Sequence, residues 1–273
     1  MLFRSLVLNT TNANRMLTLD NAIDLNGADR EIDVVSNIGR VNRPITNGAG
    51  TAAGLVKGGA GTLDLNATNS YEGTTTVLRG AIRLSNGAGL STNNTVILNG
   101  GLIEFAVNHP YMTPVLGTGA GRVEFAGEAG FGAHNAVRTI DINGTGEMLK
   151  MGDGALADWG TLLLNGISAN GRAILANGLD LNGAARTVSV GSAVARIDGA
   201  ITNSAGSPAH LSKIGNGTLL LVGDNYRHDG GTLIRAGLLQ IGDYFGGDGV
   251  LPGIQGNAGT VSNLGSVVFA NPS

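Results

Sequence analysis

The chain has 273 residues, of which 46 are glycine, 14% are charged, 4% are aromatic and none is cysteine. An average globular domain has about 7% glycine and about 25% charged residues, and the lack of a G-X-Y period excludes collagen. The hydrophobic fraction of 42% is too high for a disordered linker. Because glycine tolerates tight turns, this composition indicates many short strands joined by turns.

The charge balance gives no sign of an anionic partner. The net charge of −3 provides no electrostatic footprint for nucleic acid or an anionic membrane, so we expect no nucleic-acid partner.

No stretch approaches the ~18 consecutive apolar residues of a membrane helix, and residues 1–8 lack the features of a signal peptide. If the protein is exported, we expect the export signal outside this chain. The absence of cysteine fits a reducing compartment, or passage through the oxidising periplasm in an unfolded state.

A long internal repeat is the main signal in the sequence. Residues 6–79 align with residues 162–235 without a gap, and about 32 of roughly 74 positions are identical. The match includes lysine and arginine positions, so shared composition does not explain it. We expect residues 1–273 to form a single β-helical solenoid segment that contains this repeat.

A finer period lies inside the long repeat, because apolar-x-apolar triplets recur about every 20 residues. In chain order the triplets are Leu6/Leu8, Ile23/Leu25, Leu63/Leu65, Ile82/Leu84, Ile103/Phe105, Val123/Phe125, Ile140/Ile142, Leu162/Leu164, Leu179/Leu181, Leu219/Leu221 and Leu239/Ile241. Their middle residue is often polar, which places two side chains inside and one outside on a short strand. Asn-Gly and similar turn pairs separate the triplets.

This spacing predicts an all-β fold, a right-handed parallel β-helix of about 14 coils with about 20 residues per coil. Stacked coils would bury the inward side chains in one column, and ~4.8 Å per coil gives a rod of roughly 65–70 Å. No window shows sustained 3.6-residue periodicity, which disfavours helices. An antiparallel sandwich also needs many short strands, but it gives no reason for a fixed period.

Two segments carry a longer motif. The first runs from Leu55-Val56-Lys57 through Gly61-Thr62-Leu63-Asp64-Leu65 and Asn69-Ser70-Tyr71 to Gly80-Ala81-Ile82-Arg83-Leu84. The second runs from Leu211-Ser212-Lys213 through Gly217-Thr218-Leu219 to Gly237-Leu238-Leu239-Gln240-Ile241. Both resemble the autotransporter-associated β-strand repeat of bacterial autotransporter passengers.

The resemblance implies a passenger region of a Gram-negative bacterium, extracellular or at the cell surface and attached to the outer membrane. In that family a C-terminal outer-membrane β-barrel translocates the passenger, and we expect this partner outside the present chain. The implied function is a structural β-helical stalk, a scaffold of the adhesion or virulence type. A host-surface or matrix ligand of unknown identity would be a further partner.

The residues of the motif also have a physical interpretation. Gly61 and Gly217 precede strands at positions where a Cβ would crowd a tight bend. Lys57 and Lys213 are predicted to point outward, where they would keep the rod soluble and discourage lateral pairing.

No constellation with catalytic or metal-binding spacing is found in the sequence. The histidines share no ligand spacing and are predicted to be isolated surface residues: His109, His134, His210 and His228. A G-x-S-x-G elbow and a Walker A loop are both absent. Gly246-Gly247-Asp248-Gly249 is predicted to be a turn, because the calcium-binding signature that it resembles must repeat. We therefore expect no catalytic, cofactor-binding or metal site, and no enzymatic activity.

Two functional alternatives remain. A polysaccharide-active β-helix enzyme, a lyase or a glycoside hydrolase, would need clustered carboxylates on one outer face. The outward triplet positions supply candidates, which we expect to be solvated and one or more coils apart: Asp24, Asp64, Glu104, Glu124, Asp141 and Asp180. A glycan-binding module could use Tyr71 and Tyr226, although packing over a coil edge is the favoured role. Trp159 is the one tryptophan, so stacking platforms for sugars are scarce.

Overall fold

The computed structural model describes residues 4–87, 89–91, 93–222 and 228–242, and the backbone of the strands at 261–263 and 266–269. Over these residues the chain forms a parallel β-solenoid of about ten turns without an α-helix. The predicted all-β parallel solenoid is therefore confirmed. Within the same residues, no helical segment has the length and apolar character needed to cross a membrane.

The strands are short and follow one another closely. Numbered in chain order they are β1 (Ser5–Leu8), β2 (Leu17–Leu19), β3 (Ile23–Asp24), β4 (Arg30–Val34), β5 (Ile38–Val41), β6 (Ile45–Thr46), β7 (Leu55–Gly58), β8 (Thr62–Leu65), β9 (Thr75–Val77), β10 (Gly80–Leu84), β11 (Val96–Leu98), β12 (Gly101–Phe105), β13 (Val115–Leu116), β14 (Arg122–Phe125), β15 (Ala129–Ala133), β16 (Val137–Ile140), β17 (Leu149–Lys150), β18 (Thr161–Leu164), β19 (Arg172–Leu175), β20 (Leu179–Asp180), β21 (Arg186–Val190), β22 (Val194–Ile197), β23 (Ile201–Thr202), β24 (Leu211–Ile214), β25 (Thr218–Leu221), β26 (Thr232–Ile234), β27 (Leu238–Ile241), β28 (Val261–Asn263) and β29 (Ser266–Phe269). Short 3₁₀ segments lie at Pro110–Met112, Ile142–Gly144 and Gly154–Leu156.

Long parallel sheets run along the solenoid. Sheet A has the order β1-β4-β7-β9-β11-β14-β13, and sheet C has the order β16-β19-β22-β25-β27-β29. Sheet B has the order β2-β5-β8-β10-β12-β15-β18-β21-β24-β26-β28 and runs along the whole described solenoid. Two short sheets, β3-β6 and β17-β20-β23, supply a further strand to some coils. Sheet B is thus the common frame on which both repeat copies are built.

The hydrophobic core is a column of inward side chains. On five successive strands of sheet B the register partners are Leu63, Ile82, Ile103, Phe131 and Leu164. Each is at most 1% exposed. Full burial of such a side chain is worth ~1.5–3 kcal/mol, so the column is the main source of stability.

The predicted count of about 14 coils is wrong, because two successive triplets can lie within one coil. The triplets Leu6/Leu8 and Ile23/Leu25 lie on or directly after β1 and β3, and both precede β4, the next strand of sheet A. With about ten turns, the length is on the order of 50 Å at ~4.8 Å per coil.

The length of a coil also varies more than the sequence period suggests. Thr62 pairs with Ala81, 19 residues later, whereas Ala129 pairs with Leu162, 33 residues later. The difference lies in the connections between strands, since loops of different length can join the same stacked strands. A fixed spacing of twenty residues therefore holds for only part of the solenoid.

The two repeat copies occupy different sides of the solenoid. Strands β1, β4 and β7 lie in sheet A, but their equivalents about 156 residues later, β18, β21 and β24, lie in sheet B. Likewise β5 and β8 lie in sheet B, whereas β22 and β25 lie in sheet C. Sheet A ends at β13 and sheet C begins at β16, in the region between the copies. The second copy is thus wound one side further around the axis than the first.

The core column generates a prediction with an internal control. Leu63→Asp should lower the free energy of unfolding by at least ~4 kcal/mol, because it buries an unpaired carboxylate at a side chain that is 0% exposed. Val137→Asp places the same group on a strand at a side chain that is 57% exposed and should cost less than ~1 kcal/mol. Urea denaturation followed by circular dichroism measures both values. Equal losses in the two variants would contradict the column.

Candidate functional site

The motif lysines point inward, so their predicted outward orientation is wrong. Lys57 is 0% exposed, and its ammonium donates to the carbonyl oxygens of Gly58, Gly59 (2.8 Å) and Arg79 (3.1 Å). The second copy repeats this arrangement, with Lys213 Nζ donating to the carbonyl oxygens of Ile214 (2.9 Å), Gly215 (2.7 Å) and Ala236 (3.0 Å). The physical reason is that these corner carbonyls need a donor, and a long flexible amine supplies several N–H groups at once.

Each lysine connects two coils. Arg79 lies 22 residues after Lys57, and Ala236 lies 23 residues after Lys213, so the third carbonyl in each set belongs to the following coil. Burial lowers the pKa of Lys57 to about 7, while the nearby Asp33 carboxylate opposes this shift. Burial also lowers the pKa of Lys213, to about 8. We call these two residues the lysine clamps.

The motif glycines have the role that the sequence predicts. A Cβ on Gly61 would lie 2.7 Å from the Asn37 carbonyl oxygen, and a Cβ on Gly217 would lie 2.6 Å from Val190 Cγ1. Either contact is closer than real Cβ atoms allow, so glycine is required for the close approach of the preceding coil. Tyr71 is also part of the packing, since its ring is buried and its hydroxyl lies 2.7 Å from Thr75 Oγ1.

The outward side of sheet B carries a line of alternating charges, which we term the charged ladder: Arg40, Asp64, Arg83 and Glu104. These residues are register partners on β5, β8, β10 and β12. Arg40 Nη2 lies 2.8 Å from Asp64 Oδ2, and Arg83 Nη2 lies 2.9 Å from Glu104 Oε2. The side chains of Asp64, Arg83 and Glu104 are at most 1% exposed although they point away from the core. A second layer must therefore cover them.

That layer is residues 165–171, which we term the strap. It leaves the end of β18 and passes back over the charged ladder. The Gly166 N–H donates to Glu104 Oε1 (3.1 Å), and Arg83 Nη2 donates to the Ser168 carbonyl (3.0 Å) and hydroxyl (2.7 Å). The Ser168 hydroxyl also lies 2.6 Å from Thr62 Oγ1. The strap thus contacts β8, β10 and β12, whose residues precede it by 62 to 106 positions.

The cover changes the proton affinity of Glu104. Burial raises its pKa, while the Arg83 guanidinium and the Gly166 N–H oppose the shift and the Asp64 carboxylate adds to it. A carboxyl group with raised pKa can act as a general acid, but only where it reaches a substrate. Glu104 is enclosed by Arg83 and the strap, so its present surroundings favour ion pairing over proton transfer.

His134 lies at the side of this cluster. Burial lowers its pKa, the Arg83 guanidinium lowers it further, and the Asp64 carboxylate and the Ser168 carbonyl oppose the shift. In the described part of the chain, His134 Nδ1 and Asp64 Oδ1 are buried without a hydrogen-bond partner. The cluster therefore combines an imidazole, two carboxylates and two guanidinium groups, of which Asp64, Arg83 and Glu104 are fully buried.

The six predicted outer carboxylates do not form one solvated line. Asp64 and Glu104 are fully buried, which contradicts the expectation of solvation, and they lie two strands apart on the ladder. Asp24 and Asp180 cap backbone amides in turns: Asp24 accepts from Gly48, and Asp180, itself buried, accepts from Ser204. The other two lie elsewhere and are half-buried: Glu124 and Asp141.

The prediction of isolated surface histidines is wrong for two of the four. His109 and His228 are buried, and burial lowers the pKa of His228 to about 4. His134 and His210 are half-buried. No group of metal-ligating side chains forms a cation site among the described residues. Tyr226 and the predicted turn at 246–249 lie outside the residues that the structure describes.

Sequence reasoning missed the strap and several members of the cluster: Arg40, His134, Gly166 and Ser168. One local signal was present, since Gly130 and Gly132 alternate on β15 with the inward side chains of Ala129, Phe131 and Ala133. Alternating glycines on the outer side of a strand mark a close approach of other backbone. The pattern does not say which segment approaches, because the strap lies more than thirty residues away in sequence.

The fold and these contacts define a class of protein: a parallel β-solenoid made of repeated coils that are joined by buried lysine clamps. Residues 55–84 and 211–241 match the family described as passenger-associated-transport-repeat. The chain thus carries two such repeats, as a β-helical fragment of an autotransporter passenger would, and the repeat family implies a secreted or surface-displayed protein. Comparison with curated proteins and with solved structures found no match.

The lysine clamps generate a pH-dependent prediction. Lys57→Met removes the donor for three buried carbonyls and should lower the free energy of unfolding by ~1–3 kcal/mol. The folded pKa of about 7 is below the ordinary value of 10.5, so between these values the unfolded chain binds a proton that the folded protein does not. The contribution of Lys57 to stability should therefore rise with pH across that window, by at most ~1.4 kcal/mol per pH unit.

The measurement is urea denaturation of wild type and Lys57→Met at pH 7, 8, 9 and 10. Lys213→Met is the matched variant. The contribution of Lys213 to stability should begin to rise near pH 8, because the pKa of Lys213 is about 8. A stability difference that stays constant over this range would show that the clamp keeps its ammonium charge.

Proposed function

We propose that this chain is a structural stalk, the β-helical scaffold of an autotransporter passenger at the surface of a Gram-negative bacterium. The supporting observation is that the motif residues are engaged in internal contacts. The lysine clamps bind corner carbonyls, Gly61 permits coil contact, and Leu63 and Tyr71 are buried. Because the characteristic residues of the repeat stabilise coil stacking, few of them remain free to bind a ligand.

The proposal includes a secretion role. Each coil adds to the strand edge of its neighbour, so coil-by-coil folding outside the cell could oppose back-sliding of the chain. The partner would be a C-terminal outer-membrane β-barrel outside this chain, and the stalk would stay attached to the outer membrane through it. The stalk would project an effector or adhesive tip, and a host-surface or matrix ligand would be a further partner.

Catalysis is not part of the proposed function. The two carboxylates of the charged ladder, Asp64 and Glu104, are paired with arginines and covered by the strap. One groove of about 440 Å³ beside Glu31 and Asp33, and another of about 210 Å³ beside the strap, have no aromatic side chain in their walls. Sugar-binding clefts rely on such rings, so neither groove favours a glycan-binding module.

A display experiment tests the stalk. The chain is fused between a secretory leader and an outer-membrane translocator in a Gram-negative host, and surface protein is measured on intact cells by added protease. We expect Leu63→Asp to reduce the displayed amount several-fold relative to Val137→Asp, because only the first variant disrupts the core column. Equal display of both variants would contradict a contribution of folding to secretion.

An activity test separates the alternatives. The purified chain is incubated with a panel of acidic and neutral polysaccharides, and released reducing ends and retained glycan are both measured. We expect neither signal. Release of reducing ends that is lost in Glu104→Gln would support the enzymatic alternative, and retention without release would support a binding module.

A further inference from the structure

The strap departs from the contact pattern of the rest of the solenoid. In a solenoid each coil touches its neighbours, so contacts across several coils are not expected. Counted along sheet B, the strap starts at β18 and reaches β12, β10 and β8, which are two, three and four strands away. Its contact with Thr62 joins residues 106 positions apart, and its contact with Arg83 joins residues 85 positions apart.

The shape of the strap is set locally in both repeat copies. Asn165 has φ of 56° and its side chain donates to Gly171 O (3.1 Å) and Val194 O (3.1 Å). The equivalent Asn9 has φ of 60° and donates to Arg15 O (3.2 Å) and Ile38 O (2.8 Å). The loop conformation is therefore common to both repeat copies. The contacts of the strap with distant coils depend instead on the residues that it covers.

The ladder that the strap covers differs from the equivalent positions of the second copy. Asp64 of the ladder corresponds to Leu220 on β25, and Leu220 is paired with Gln240 on β27 where the first copy has Arg83. The second copy thus lacks the alternating charges at these positions. The buried charges occur where the strap covers them, which indicates that strap and ladder form one unit.

Two outward glycines on β15 permit the close approach of β18 and of the strap that follows it. A Cβ on Gly130 would lie 1.8 Å from the Leu163 carbonyl oxygen. A Cβ on Gly132 would lie 2.9 Å from Glu104 Cγ and 3.2 Å from Asn165 Cα. A side chain at Gly132 would therefore displace both Glu104 and the start of the strap, on the side of the strand that faces away from the core column.

We infer that the strap couples β8, β10 and β12 to β18, so that these coils open as one cooperative unit and not coil by coil. Opening any of these coils separates the strap from its partners. The Arg83–Glu104 pair then loses the Ser168 and Gly166 contacts that satisfy it, which is costly for buried charges. The coupling is directional, since the hydrogen bonds of the strap reach back over several coils on the N-terminal side, whereas on the other side they reach the next coil, at Ser192 and Val194.

Amide hydrogen exchange of the whole chain tests this coupling. The strap is released by Ser168→Ala combined with Gly132→Val. The matched control is Ile167→Ala combined with Gly50→Val, because Ile167 is 65% exposed and a Cβ on Gly50 meets no atom within 4 Å. Exchange is compared at β8, four strands from β18 on the N-terminal side, and at β24, two strands away on the other side.

In the strap variant, the coupling predicts that amide exchange becomes roughly tenfold faster at β8 and stays unchanged at β24. In the control, it predicts no change at either strand. Gly132 lies on β15, three strands from both β8 and β24, so nearest-neighbour behaviour predicts equal effects at the two strands. An equal effect, or a larger effect at β24, would overturn the inference.

A double-mutant cycle guards against general destabilisation by Gly132→Val. Thr62→Val and Ser168→Ala are measured singly and together by urea denaturation, since their hydroxyls are 2.6 Å apart. Coupling requires that the double variant loses less stability than the sum of the single variants. Additive losses would show that the contact transmits nothing and would equally overturn the inference.

Discussion

Backbone pairing between coils is the constraint on which this structure depends. A parallel strand has unpaired N–H and C=O groups on both edges until the next coil stacks on it, and the corners between strands leave further groups unpaired. The corners are completed by side chains of the repeat. The lysine clamps donate hydrogen bonds to carbonyl oxygens, whereas asparagine carboxamides bind both N–H and carbonyl groups. Asn177, for example, accepts from the Ile142 N–H and donates to the Ile142 and Glu147 carbonyls. About a tenth of the chain is asparagine, and this abundance has the same cause as the buried lysines.

The general architecture could be predicted from sequence because it depends on local alternation. Triplets such as Leu63/Leu65 place two side chains in the core, and the glycines at 61 and 217 mark the close approach of coils. The number of coils could not be predicted in this way, since alternation is the same on every side of a coil. A triplet therefore shows that a strand exists but does not show to which sheet it belongs. Register partners on neighbouring strands of sheet B are separated by 19 to 33 residues, so the coils do not follow a fixed sequence period either.

The orientation of charged residues was the least predictable feature. A lysine or a carboxylate at an outward or corner position is normally solvated, and here Lys57, Asp64 and Glu104 are all fully buried. For Lys57 the cause is a set of carbonyls in two coils, and for Asp64 and Glu104 it is a loop that returns from a distant coil. Both causes are non-local, so no pattern within one strand contains them. The alternating glycines of β15 indicate only that other backbone approaches this strand, and Gly132 is the one of the two that meets the strap.

The winding of the second repeat one side further around the axis has a geometric consequence for this solenoid. Equivalent surface positions of the two copies lie on different sides of the rod and do not form one line along it. A partner approaching from one direction would therefore meet unlike surfaces at the two levels. Two parallel rods would also fail to match copy against copy, so the rotation lowers the chance that identical sequences pair laterally.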